Sequence, residues 1–199
     1  LRYSARDELG LVTEQVYNVE VHRRFAWELE TLSNIWSKMA SFNDGSLLVA
    51  PQTLGTQSSL VGINPDGTQR WATGNALYFI TPRHHASSDH VITAGNDFWV
   101  RAVNSQGSYG WEWMLPGGAI AAGMTLSQDT VFVCDYKGKI YTLNANNGSQ
   151  GWSQDIGMGA GDTVMTPCTA SPDASTVYFG SENGVIYAVN SSGLAWQKQ

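Results

Sequence analysis

Five tryptophans, Trp27, Trp71, Trp111, Trp152 and Trp196, recur along the chain at intervals of about 40 to 44 residues. A period of that length constrains the fold more than any local propensity, because each unit must be one supersecondary element that stacks on its neighbours. Other positions keep the same register. A short apolar stretch ending in Asn precedes each of the last four tryptophans: "LVGIN" to Asn64, "VRAVN" to Asn104, "IYTLN" to Asn144 and "IYAVN" to Asn190. A glycine follows each Asn, at Gly67, Gly107, Gly148 and Gly193. Upstream lies a second apolar run, "SLLVA", "HVITA", "TVFVC" and "TVYFG", and ahead of it a Ser-x-Asn/Asp triplet: Ser41 with Asn43, Ser87 with Asp89, Ser127 with Asp129, Ser171 with Asp173.

Each feature has a physical reading. Ser, Asn and Asp bond their own backbone in turns, so Ser-x-Asp marks a turn. The β-branched run after it reads as a buried strand. "GND", "DYKG" and "SENG" supply the next hairpin turn, the strand ending in Asn follows, and the Asn-to-Gly turn leads into a last strand carrying the tryptophan. With the apolar segment ahead of Ser-x-Asp, each unit holds four strands. The expected fold is all-β: a β-propeller of four-stranded antiparallel blades, about four to five of them in this chain. One large ring per blade suits the wedge between one blade and the next. It buries on the order of 200 Å², and its loss is expected to cost roughly 3–5 kcal/mol.

The stretches "KIYTLNANNGSQGW" and "VIYAVNSSGLAW" resemble the PQQ-like repeat named after the quinoprotein alcohol dehydrogenases; "VRAVNSQGSYGW" and "LVGINPDGTQRW" match it less closely. The resemblance implies that blades end at the tryptophans, giving units 28–71, 72–111, 112–152 and 153–196. Residues 1–27 are then a degenerate or partial blade, in which "VYNVEVHRRFAW" lacks the glycine. Residues 5–14 read equally as a degenerate strand or a short helix. Propellers of this family close with about seven or eight blades, so the ring is expected to be completed by other chain segments, by a partner, or by closing small.

Composition narrows the function classes. Of 199 residues 42% are hydrophobic and only 14% charged, with a net charge of -6. That balance argues against binding to a phosphate backbone, which needs clustered Lys and Arg. No apolar run approaches the roughly 20 residues that span a bilayer, and no signal peptide opens the sequence. Peripheral membrane association stays open. A surface so poor in charge fits an extracytoplasmic location (periplasmic, lumenal or secreted) or a subunit surrounded by other protein subunits.

As a family, quinoprotein dehydrogenases hold their quinone beneath a vicinal disulfide and against a tryptophan, beside a calcium ion and a catalytic aspartate. This sequence has no adjacent cysteines, and "NPDGTQ" is a tight turn rather than a calcium loop. No catalytic, cofactor-binding or metal residue is assigned. Cys134 falls in a slot filled by Ala50, Ala94 and Gly180 in the other repeats, which calls for a small side chain. It and Cys168 read as buried free thiols, with a disulfide between neighbouring blades as the alternative. His84 and His85 are consecutive on a strand and point to opposite faces, so they cannot share an ion; His90 and His22 complete the histidines. "LPGGAIAAGM" and "GMGAGD" occupy equivalent places and read as connections between blades.

Trp27, Trp71, Trp111, Trp152 and Trp196 are thus structural blade tryptophans, which leaves Trp36, Trp99 and Trp113 in surplus. Phe98 and Trp99 stand where another repeat has Gly138 and Lys139, and Trp113 follows two residues after Trp111. Aromatic residues beyond packing need mark interfaces, so these three are candidate interface residues, against the plainer reading that they fill irregular blade contacts. The function expected is a non-catalytic scaffold or protein-docking module, an accessory subunit of a larger assembly. The alternatives are a fragment of a quinone-dependent dehydrogenase and a carbohydrate-binding propeller.

Overall fold

The computed structural model describes residues 2–6, 12–16, 38–51, 60–73, 83–95, 97–116, 123–159 and 161–199. Trp27, Trp36 and His22 lie outside them. The described residues form strands and turns without a helix. Strands β1 (Arg2–Arg6) and β2 (Val12–Val16) pair antiparallel, so the described residues at either end of the 5–14 segment are strand; its middle lies outside the described residues.

Four four-stranded antiparallel sheets follow, each in plain sequence order. The first contains β3 (Ala40–Ser41), β4 (Leu47–Val49), β5 (Val61–Ile63) and β6 (Gln69–Ala72). The second contains β7 (Arg83–His85), β8 (His90–Ala94), β9 (Trp99–Asn104) and β10 (Tyr109–Met114). The third contains β11 (Met124–Ser127), β12 (Thr130–Cys134), β13 (Lys139–Asn144) and β14 (Gln150–Asp155). The fourth contains β15 (Thr169–Ala170), β16 (Thr176–Gly180), β17 (Ile186–Asn190) and β18 (Gly193–Lys198). These are blades of a β-propeller, and the sheets do not close into a ring.

The two middle strands of the second and third blades are buried on both faces because both are covered by neighbouring sheets. Val131 and Val133 of β12 join a core with Ile92 and Val100 of the second sheet, whereas Phe132 and Cys134 point the other way, into a core with Val177 and Phe179 of the fourth. Leu48 of the first sheet, with Phe42 in its first turn and Leu60 just ahead of β5, packs likewise on Val91 and Val103. The hydrophobic core is therefore a series of layers between blades. The outer strands alternate instead: β10 is partly buried at Tyr109, Trp111 and Trp113 and exposed at Gly110, Glu112 and Met114.

The strand-ending asparagines build the next turn. The Oδ1 of Asn104 accepts from the N–H of Gln106 and Ser108 at 3.0 and 2.9 Å, and that of Asn144 from the N–H of Asn146 at 2.9 Å. Gly107 and Gly148 then donate to the carbonyls of Asn104 and Asn144, with φ of 81° and 71° that favour glycine.

Candidate protein-docking face

In an up-and-down sheet the turns fall alternately at two ends. One end of the propeller carries the turns after the first and third strands of each blade. These are polar and stitch neighbouring blades together: Asn43 Nδ2 donates to the carbonyl of Ala86 at 3.0 Å, His85 Nε2 lies 2.8 Å from Asp129 Oδ1, and Ser127 Oγ donates to the carbonyl of Ser171 at 2.8 Å. His84, by contrast, faces Asp89 at 3.4 Å, so the two consecutive histidines serve different partners. Among the described residues no group of three or more His, Cys, Asp and Glu is placed to hold a metal ion.

The other end carries the hairpins between the second and third strands and the connections from blade to blade. Five exposed large apolar residues gather there: Met39 ahead of β3, Phe98 in the β8–β9 turn, Met114 at the end of β10, Tyr136 in the β12–β13 turn and Met165 ahead of β15. Of the eight exposed large apolar residues among those described, Leu194 alone lies beside the turns of the opposite end and Trp196 lies within β18. Scattered exposed apolar residues are ordinary, but so uneven a distribution is a feature of interaction surfaces.

Phe98 is the most unusual of the five. It stands where the next two blades have Gly138 and Gly184, and like them it has positive φ, 67° against 79° and 76°. For a bulky residue that conformation costs on the order of 1–2 kcal/mol, and such strain clusters at functional positions. The surroundings over-determine it. Leu115 donates to the carbonyl of Phe98 at 2.6 Å, and Asp97 on its other side is held by Arg101. The Arg101 side chain is 8% exposed; its Nη1 donates to Asp97 Oδ2 at 2.5 Å and its Nε to Glu112 Oε1 at 2.9 Å. The guanidinium also lies 5.5 Å from the Trp99 ring centre and 5.8 Å from that of Tyr109. One buried cation thus fixes the turn that holds the phenyl ring outward.

Trp99 is half-buried beneath this arrangement, and Trp113 packs on Tyr141 of the following blade with ring centres 5.4 Å apart. Sequence reasoning singled out Trp99 and passed over Phe98, whose signal is the missing glycine in the turn. Tyr136 is held by Asp135, whose Oδ1 accepts from the N–H of Lys137 and Lys139 at 2.9 Å each. Burial pushes the Asp135 carboxyl above its ordinary range against those two bonds.

The blade tryptophans do something different. Trp71 Nε1 donates to the carbonyl of Ser105 at 2.8 Å and Trp111 Nε1 to that of Ala145 at 2.9 Å, each in the Asn-to-Gly turn of the following blade. At the next joint the corresponding bond, to the carbonyl of Ser191 at 2.6 Å, comes from Gln154 Nε2. Trp152 there sets its ring edge-on to Phe132, centres 6.0 Å apart. Trp196, in the fourth blade, is 49% exposed, beside Tyr178. Ile186 is 52% exposed, although its counterparts Val100 and Ile140 are fully buried.

The repeat and the sheets agree with known proteins. At the level of fold, the chain is similar to the crystal structure of BamB from Moraxella catarrhalis, with a TM-score of 0.59 and 19% identity over 82% of this chain and 48% of that one. In sequence it is 32% identical over 75 residues to the outer membrane protein assembly factor BamB of Yersinia pestis, a match covering 34% of this chain and 19% of the relative. The matched parts thus cover less than half of either relative. A family model described as outer membrane protein assembly factor BamB matches residues 56–199, so the chain, with its PQQ-like repeats, belongs to that family.

Proposed function

We propose that this chain is a non-catalytic docking module, an accessory subunit of an assembly that handles outer-membrane proteins. The observation that carries the reading is the concentration of exposed apolar side chains, Met39, Phe98, Met114, Tyr136 and Met165, at one end of a fold whose other end carries mostly polar turns, with Leu194 as the exception among the described residues. The family and the Yersinia pestis relative bear the name of an assembly factor, which supports an accessory role over catalysis. An extracytoplasmic location follows from the same names and from the low charge of the chain. Fold alone would not distinguish binding from catalysis, because propellers host both.

The proposed contact set centres on Phe98 and Met114, with Trp99 half-buried beside them. Trp113 and Trp36 are retained as members on the grounds of their sequence. Gentle purification followed by native mass spectrometry tests the reading. The wild-type chain is expected in a particle much larger than 21.6 kDa, and the double variant Phe98→Gly, Met114→Ser is expected to lose those partners while staying folded. A wild-type chain that always runs alone, or a double variant that keeps every partner, overturns the proposal.

A further inference from the structure

The third and fourth blades meet at two thiols. Cys134 closes β12 and is fully buried; Cys168 precedes β15 and is 3% exposed. Both are free and belong to one apolar core with Phe132, Ile140, Val177 and Phe179. The Cys168 Sγ reaches across the seam, 3.7 Å from the carbonyls of Phe132 and Gly123, both in the third blade's part of the chain. Phe132 is two residues before Cys134 on the same strand, so the two side chains leave β12 on the same face. Hydrogen bonding with the Cys168 thiol, and then burial, push the Cys134 thiol well above its ordinary range. The slot of Cys134 is taken by Ala50, Ala94 and Gly180 in the other blades. Packing there needs only a small group, and a thiol facing a second thiol is more than packing requires.

We infer that Cys134 and Cys168 are a dithiol placed to close into a disulfide that clasps the third blade to the fourth. The chemistry is thiol–disulfide exchange with a small disulfide oxidant, for which oxidised glutathione serves as the probe. The thiolate of one cysteine attacks a glutathione sulfur, forming a mixed disulfide and releasing one glutathione thiolate. The thiolate of the other attacks the protein-side sulfur and releases the second. The protein gives up two electrons and two protons, and one oxidised glutathione becomes two reduced ones. Both thiols are shut off from solvent in the assembled seam, so exchange proceeds while the seam is open, during folding or in transient separation of the two blades.

The whole chain is equilibrated in mixtures of reduced and oxidised glutathione, once under native conditions after refolding and once in denaturant. Acid quenching and intact mass then give the fraction lighter by two hydrogens. A native seam that holds the two sulfurs together raises the ratio of disulfide to dithiol by about tenfold or more over the denatured chain. The Cys168→Ser variant is expected to show no such species. A native ratio no higher than the denatured one overturns the inference. So does accumulation of a glutathione adduct, or of a disulfide-linked dimer, in place of the lighter monomer.

Discussion

The indole N–H of Trp111 donates to the carbonyl of Ala145 in the turn of the following blade, and the ring lies over Gly148 of that same turn. A Cβ added to Gly148 would stand 2.6 Å from the ring. Trp71 repeats the relationship one blade earlier, with its N–H on Ser105 and its ring 2.6 Å from where a Cβ on Gly107 would be. Tryptophan, the turn carbonyl and the glycine are therefore one device that fixes the spacing of blades.

Removing Trp111 takes away both ring burial and a hydrogen bond to a buried residue, since Ala145 is fully buried. Trp111→Ala is expected to lower stability by about 3–5 kcal/mol. Trp111→Phe keeps most of the ring but orphans the carbonyl, at about 1–3 kcal/mol. Trp196→Ala, at a half-exposed ring, should cost less than about 1 kcal/mol. Urea unfolding curves of the three variants check the order, and equal losses at Trp111 and Trp196 would contradict the joint described above.

Gly148 and Gly184 separate two reasons for glycine. Both have positive φ, 71° and 76°, but nothing lies within 4 Å of a Cβ on Gly184. Gly184→Ala carries only the conformational cost, about 1–2 kcal/mol. Gly148→Ala adds collision with a ring packed between two blades and should lose about 1–3 kcal/mol more. Thermal unfolding of the pair gives the difference directly, and matching midpoints would mean that the Trp111 ring moves aside freely.

The joints were legible in the sequence because they are local and repeated. Asn144 bonds its own turn, Gly148 supplies the positive φ, and Trp111 recurs one period from its counterparts, so spacing alone reveals them. What spacing does not reveal is which side chains meet across strands or blades. Arg101 lies between Asp97, four residues before it, and Glu112 across the β9–β10 pair, and no motif announces such a cluster. The hand-over from tryptophan to Gln154 at Ser191 is equally silent, because it depends on how one joint packs. The apolar end was hidden for another reason: its members are single residues in unrelated turns, and only the alternation of the sheets brings them to one side.

Phe98 gives a prediction that separates strain from packing. Phe98→Gly relieves a left-handed phenylalanine but adds chain entropy to the unfolded state, so the two effects nearly offset. Stability is expected to stay within about 1 kcal/mol of wild type. A loss above about 2 kcal/mol would show that the 42% exposed ring holds the fold, and it would then be a poor candidate for a docking anchor.

Asp44 ties the first blade to the second, and pH reads that tie. Hydrogen bonds from the Ser46 hydroxyl, from Arg70 and from the Ser46 N–H hold its carboxyl down to about 2, from an ordinary 3.8. Arg70 Nη1, 2.7 Å from Asp44 Oδ2, also donates to the carbonyl of Ser105 in the second blade at 3.1 Å. A carboxyl whose value is lower folded than unfolded stabilises fully above the unfolded value. The contribution shrinks as pH falls from about 3.8 towards 2, where the folded carboxyl itself takes up its proton. Asp44→Asn should therefore be less stable than wild type at pH near 6, by a modest amount because the pair is partly exposed. The gap between the two proteins should close as the medium is taken to about pH 2. Urea unfolding of both across that range, with an NMR titration of the Asp44 carboxyl, measures it. A gap that is constant with pH would place the effect of the substitution in packing rather than in the charge.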